Sequence, residues 1–274
     1  MTRRPVIARV TPPHPSAGWA LITNDDGIAA PGLCALAAGA VAAGLDVLVA
    51  APDQQASGAG TSIMAVRRDG VVPVEPRTLA GLDGVPAYAV AGQPSFISFA
   101  AISGWFETPP TLVLSGINYG ANLGPSVLHS GTVGAALTAG QLGVRALAVS
   151  LDCEHLPPGA GTRWDTAAAL LPSVLETLAD TEPGTVLSLN VPNLPLATLG
   201  ETVAVPLAVR GRWSPEVRTV DGGLRVRGVR RSGPLDPGSD TALLSAGHPT
   251  LTPLTPIAED TRVRLTKLAA PRTA

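Results

Sequence analysis

The stretch Trp19-Ala20-Leu21-Ile22-Thr23-Asn24-Asp25-Asp26-Gly27-Ile28-Ala29-Ala30-Pro31-Gly32 decides the fold. Residues 19–23 read as a short buried strand that stops at a polar turn. Pro31 then falls in the first turn of a helix, where its missing N–H leaves no hydrogen bond unmade. An alanine-rich run carries that helix to about Ala43, Gly44 closes it, and residues 45–51 form a second strand. Strand, turn, helix and strand in so few residues make a βαβ unit.

Working outward, the rhythm repeats. A Gly/Ser-rich loop covers 54–62, and extended pieces follow at 63–67, 71–75 and 87–91. Residues 95–105 suit a helix, 111–114 a strand, and 115–124 a glycine-rich loop. Then come a helix at 132–142, a strand at 146–151, a helix at 165–179 and a strand at 186–191. This pattern predicts an α/β fold, a Rossmann-like three-layer α/β/α sandwich with a mainly parallel sheet. In such sheets ligands bind outside the carboxyl ends of the strands, where the strand order switches. After residue 192 prolines and arginines become frequent. Short apolar pieces at 202–209, 224–229 and 250–254 predict antiparallel hairpins and a tail. The expected organisation is a flexible leader (1–16), a catalytic α/β domain (17–192), and a C-terminal hairpin and tail (193–274). That last part completes the core domain and serves oligomerisation.

Composition narrows the function. The chain has 274 residues, 45% hydrophobic and 15% charged, which excludes a disordered polymer. A net charge of −2 argues against a nucleic-acid polymer as partner. Residues 32–52 approach the length of a membrane span, but Asp46 and several glycines interrupt them, so no membrane role and a cytoplasmic setting are expected. Cys34 and Cys153 are too few for a disulfide framework or a Cys-rich zinc site. His14, His129, His155 and His248 are scattered.

Four loops carry groups capable of chemistry. Asp25 and Asp26 are adjacent carboxylates at the first strand end. Two such acids resist joint ionisation unless a cation neutralises them, and oxygen donors suit Mg²⁺ or Mn²⁺. A helix N-cap is the plainer use of such an Asp. The second loop, Gln54-Gln55-Ala56-Ser57-Gly58-Ala59-Gly60, is rich in N–H and hydroxyl groups but has neither a dinucleotide fingerprint nor a Walker lysine. Asn118 and Asn122 lie in Ser115-Gly116-Ile117-Asn118-Tyr119-Gly120-Ala121-Asn122-Leu123-Gly124, where ordinary turn chemistry would also explain them. Ser130-Gly131-Thr132 opens a helix and could serve either as an anion site or as a simple cap. All four loops should meet at one sheet edge.

Together these motifs, with Ala30-Pro31-Gly32, Ala51-Pro52-Asp53 and Ala146-Leu147-Ala148-Val149-Ser150-Leu151, resemble the survival protein E (SurE) family. The resemblance is ordered from about residue 19 to 192, and looser at Gly238-Ser239-Asp240-Thr241 and from Gly247 to Pro253. It implies a 5′/3′-nucleotidase or acid phosphatase working on a small-molecule phosphomonoester, with one divalent cation (Mg²⁺ or Mn²⁺) per subunit, assembled as a homodimer or homotetramer. The implied metal ligands are Asp25, Asp26, Ser57 and Asn118, and the implied catalytic set is Asp25, Asp26, Asn118 and Ser130. Substrate and phosphate contacts would come from Asn24, Ser57, Gly58, Asn122, Ser130, Gly131 and Thr132. The nucleophile would be a metal-activated water or, alternatively, an aspartate. The chain departs from the family pattern at Gln54-Gln55-Ala56, Gln93-Pro94-Ser95, Thr138 and His248. These departures raise two alternatives: a phosphatase specialised for a non-nucleotide or modified monoester, and a catalytically weak binding or scaffold homologue.

Overall fold

The structure is a computed structural model that describes residues 18–153 and 161–262. The expected leader, the expected turn at 157–161 (except Gly161) and the last residues of the tail lie outside the described residues. In chain order the strands are β1 (Ala20–Thr23), β2 (Val47–Pro52), β3 (Val74–Arg77), β4 (Ala87–Val90), β5 (Leu112–Tyr119), β6 (Arg145–Asp152), β7 (Val186–Pro192), β8 (Val203–Ala204), β9 (Trp213–Val220), β10 (Gly223–Arg230) and β11 (Thr250–Leu254). The helices are α1 (Pro31–Ala42), α2 (Pro94–Ala100), α3 (Gly131–Gln141), α4 (Trp164–Ala169), α5 (Leu171–Ala179) and α6 (Asp240–Ser245).

One sheet runs in the order β3-β4-β2-β1-β5-β6-β7-β11-β8. Its centre is parallel from β4 through β7. β3 and β11 are antiparallel to their inner neighbours. Along β1 and β2 successive side chains alternate between two apolar clusters. Ala20, Ile22, Val47 and Val49 join Leu33, Leu36, Ala167 and Leu171 under α1, α4 and α5. Leu21, Leu48 and Ala50 join Ile97, Val133 and Ala136 under α2 and α3. Both faces are therefore covered, and the expected three-layer α/β/α sandwich with a mainly parallel sheet is the observed one. The strand order reverses between β1 and β5, since β2 and β4 lie to one side of β1 and β5 to β7 lie to the other.

Several expectations are corrected. The loop expected from residue 115 is strand: β5 continues to Tyr119, and its pairing with β6 shifts register between Ser115 and Asn118 before resuming at Asn118 and Ser150. Glycine at 116 lets the backbone take a φ of 137° and continue rather than stop. The single helix expected at 165–179 is two, divided at Leu170, with Pro172 in the first turn of α5. Residues 63–67 form only an isolated bridge, Ala65 to Gly92, and 202–209 shrinks to the two residues of β8. The hairpin arm at 224–229 is β10, whose partner β9 was not foreseen. The piece at 250–254 belongs to no hairpin. It is β11, inserted between β7 and β8 in the main sheet.

Candidate active site

The turn after β1 is fixed by its own side chains. Asn24, fully buried, closes a ring with Gly27: its Nδ2 donates to the Gly27 carbonyl and its Oδ1 accepts from the Gly27 N–H, both at 3.1 Å. The N-cap of α1 is Ala30, so neither aspartate caps the helix. The turn is tied to the next loop as well. Ile28 N–H donates to the Pro52 carbonyl (2.9 Å) and Ala56 N–H to the Asp25 carbonyl (2.7 Å).

Asp25 is 4% exposed. Its Oδ1 accepts a 2.5 Å hydrogen bond from the Thr132 hydroxyl on the first turn of α3. Burial pushes its carboxyl above the usual range. The Thr132 hydroxyl and backbone groups of Asp25, Thr132 and Gly131 oppose that shift. Asp26 accepts from the Tyr119 N–H through Oδ2 (3.0 Å). Its carboxyl is pushed up to about 6, mostly by burial, with the Tyr119 N–H opposing and the Asp25 charge adding. Gly131 lies where a Cβ would stand 2.8 Å from Asp25 Oδ2 and 2.7 Å from its Cβ, so only glycine lets α3 approach this closely.

Asn118 sits on β5 rather than in a loop. Its Nδ2 donates to the Gly120 carbonyl (2.7 Å), which leaves Oδ1 uncommitted. Asn122 is held from both ends of its residue. Its Nδ2 donates to Ser150 Oγ (2.8 Å), and its backbone exchanges hydrogen bonds with the Asn190 side chain. Ser130 caps α3 by accepting from Val133 N–H (3.1 Å), and its own proton remains free to donate. Ser57 is exposed and accepts from Gln55 Nε2 (3.0 Å).

A cavity of about 600 Å³ opens where these strand ends meet. Asp25, Asp26, Ser57, Gly58, Asn118, Asn122 and Ser130 all line it. The remaining sequence candidates stand behind it: Asn24 shapes the turn, Gly131 packs on Asp25, and Thr132 spends its hydroxyl on Asp25. Tyr119, Trp164, Ser126 and His129 also form the wall and are not among the residues the sequence motifs single out. Tyr119 and Trp164 are neighbours, with ring centroids 6.2 Å apart and planes tilted by 52°. Glycine at 32 lets α1 approach β5 and Trp164, since a Cβ there would overlap the Ile117 carbonyl oxygen and stand 2.9 Å from Trp164 Cζ3. An aromatic residue opening a helix beside a strand end was the available signal for Trp164.

Among the described residues no lysine or arginine lines the cavity. Buried Asp25 and half-buried Asp26 thus line it without a Lys or Arg among the described residues, together with Ser57 and Asn118. Among the described residues no group of three or more His, Cys, Asp or Glu could hold a metal, so any cation here would draw neutral oxygen donors as well. All-oxygen donors and uncompensated negative charge fit a hard divalent ion.

The model of the family described as "Survival protein SurE" matches residues 20–213. A 5′-nucleotidase SurE from Pseudomonas entomophila is 37% identical over 240 residues, covering 85% of this chain and 90% of the relative. One from Nitrosococcus oceani is 35% identical over 259 residues, covering 91% and 93%. The crystal structure of a SurE protein from Aquifex aeolicus superposes with a TM-score of 0.70 at 25% identity, covering 89% of this chain and 95% of that one.

Proposed function

Because the chain belongs to the SurE family, we propose that its cavity is the site of a metal-dependent phosphomonoesterase acting on nucleoside monophosphates. The observation that carries this reading is the pair of a buried Asp25 and a half-buried Asp26, unbalanced by any Lys or Arg among the described wall residues, and set at the strand-order switch. Asp25, Asp26, Ser57 and Asn118 would hold one Mg²⁺ or Mn²⁺. When bound, such an ion neutralises the carboxylates, polarises a phosphoryl oxygen and lowers the pKa of water.

The chain's own residues do the rest. The Thr132 hydroxyl and the backbone N–H groups at the start of α3 fix Asp25, and the Tyr119 N–H holds one oxygen of Asp26. Ser130 can donate its hydroxyl proton to a phosphoryl oxygen while its oxygen caps α3. The positive end of that helix favours negative charge nearby. Asn122 is pinned in place by Ser150 and Asn190, so it needs little reorganisation when substrate enters. The ring faces of Tyr119 and Trp164 suit a nucleobase, which favours a nucleotide over a small aliphatic monoester.

Phosphate release from a panel of nucleoside monophosphates and sugar phosphates, with Mg²⁺ or Mn²⁺ and with EDTA, tests this. Metal-dependent turnover with nucleotides favoured is expected. Turnover only on non-nucleotide monoesters would move the chain to the specialised alternative, and none on any monoester to the scaffold alternative. For assembly, the β9–β10 ribbon stands outside the main sheet with Val217, Leu224 and Val226 more than half exposed. That surface supports a homodimer or homotetramer, which light scattering on the eluting protein measures directly. Among the described residues no helix is long and apolar enough to cross a membrane.

A further inference from the structure

A second pocket, of about 340 Å³, lies against the first. The two share Ser126 and His129, on the 3-10 turn Gly124–His129, so that turn is a ridge between them. At roughly 2 Å per residue the ridge from Ser126 to His129 is about 6 Å long. Where the first wall carries carboxylates and, among the described residues, no guanidinium, the second carries Arg210, Arg212 and Arg231.

The acids near those arginines are already engaged. Asp152 takes Arg212 Nη1 on both oxygens, at 2.9 and 2.8 Å, in a largely buried ion pair. Asp236 accepts the backbone N–H groups of Val209 and Arg210, at 2.8 and 3.2 Å. The side chains of Arg210 and Arg231 have no acidic partner among the described residues. Arg212 Nε is buried without an acceptor. The segment is also firmly placed. Asp240, fully buried, accepts from Gly124 N–H (2.7 Å) and Ala208 N–H (2.9 Å), which fastens the arginine-bearing strand approach to the ridge itself. Arg231 N–H donates to the Arg212 carbonyl (2.9 Å).

We propose that this pocket is an anion subsite that binds a second phosphate carried by the leaving group of the substrate. The reacting phosphate lies on the carboxylate side of the ridge and the second on the arginine side, with the sugar across the turn. Guanidinium forks match phosphate oxygens in pairs, and the unpaired Arg210 and Arg231 are the ones available to do so. The preferred substrate class is then a nucleoside bisphosphate rather than a monophosphate. The proposal rests on the phosphomonoesterase reading of the neighbouring cavity.

The test compares kcat/KM for adenosine 5′-monophosphate and adenosine 3′,5′-bisphosphate in the full chain with Mn²⁺, products identified by chromatography. The wild type is expected to favour the bisphosphate about tenfold at low salt, chiefly through KM. That preference should shrink at high salt, where exposed charges are screened. It should also shrink several-fold in the double variant Arg210→Gln/Arg231→Gln, whose fold is checked by its thermal melt. No preference in the wild type, or an undiminished one in the folded double variant, overturns the subsite. Failure to release phosphate from either compound would instead remove the phosphomonoesterase reading, and the subsite with it.

Discussion

Thr132 Oγ1 stands 2.5 Å from Asp25 Oδ1, joining the first turn of α3 to the end of β1 across more than a hundred residues of chain. The bond is buried and one partner is a carboxylate, the condition under which a hydrogen bond is strongest. With the backbone groups of Gly131 and Thr132 beside the same carboxylate, it fixes the orientation of Asp25 at the cavity wall.

Thr132→Val keeps the shape and deletes the donor. It should cost about 1–3 kcal/mol of stability and weaken Mn²⁺ binding measured by titration calorimetry, while Thr132→Ser restores both. Asp25→Asn should abolish most turnover with the circular dichroism of the native fold retained. If Thr132→Val bound Mn²⁺ as tightly as the wild type, the aiming role would be lost.

In the folded, metal-free protein burial pushes the Asp26 carboxyl up to about 6 from an ordinary 3.8. The folded state therefore holds this proton more tightly than the unfolded chain does. Its contribution to stability is fully present below pH 3.8 and is lost as pH rises through 6. Asp26→Asn mimics the protonated form at every pH. In EDTA, the melting temperature of the wild type minus that of Asp26→Asn should fall between pH 4 and 7; a constant difference would contradict the burial described for Asp26.

Asp240 accepts from Gly124, Ala208 and Thr241 N–H groups at once. Asp240→Asn presents an NH₂ to at least one of these donors. Denaturant unfolding should report a loss of about 2–3 kcal/mol; a loss below the error of the measurement would mean that these bonds do not fasten the two segments.

Trp164→Ala removes half of the aromatic wall. Base stacking is worth about 1–3 kcal/mol, so KM for a nucleoside monophosphate should rise about tenfold while KM for glycerol phosphate changes little. Equal changes for both would point to a general disturbance of the cavity.

The βαβ rhythm from β1 to β7 was legible because parallel strands covered on both faces are short, apolar and regularly spaced by helices. The convergence of Asp25, Ser57, Asn118 and Ser130 followed from that topology alone. What escaped was set by partners distant in sequence. Thr132 read as a phosphate donor because nothing local shows that its hydroxyl is taken by Asp25. Residues 115–119 read as a loop because glycine and asparagine signal turns, yet β6 pairs with them on both sides of the irregularity. β11 read as a hairpin arm because its destination, the open side of β7, is more than fifty residues away.

That last placement bears on how the chain can be made. Until Thr250–Leu254 emerge from the ribosome, the rim of β7 keeps a full row of unmet amide and carbonyl groups beside an apolar surface. Such a rim recruits whatever strand is nearest. Chains truncated before residue 250 should accordingly collect in inclusion bodies even though every cavity-lining residue has by then been translated.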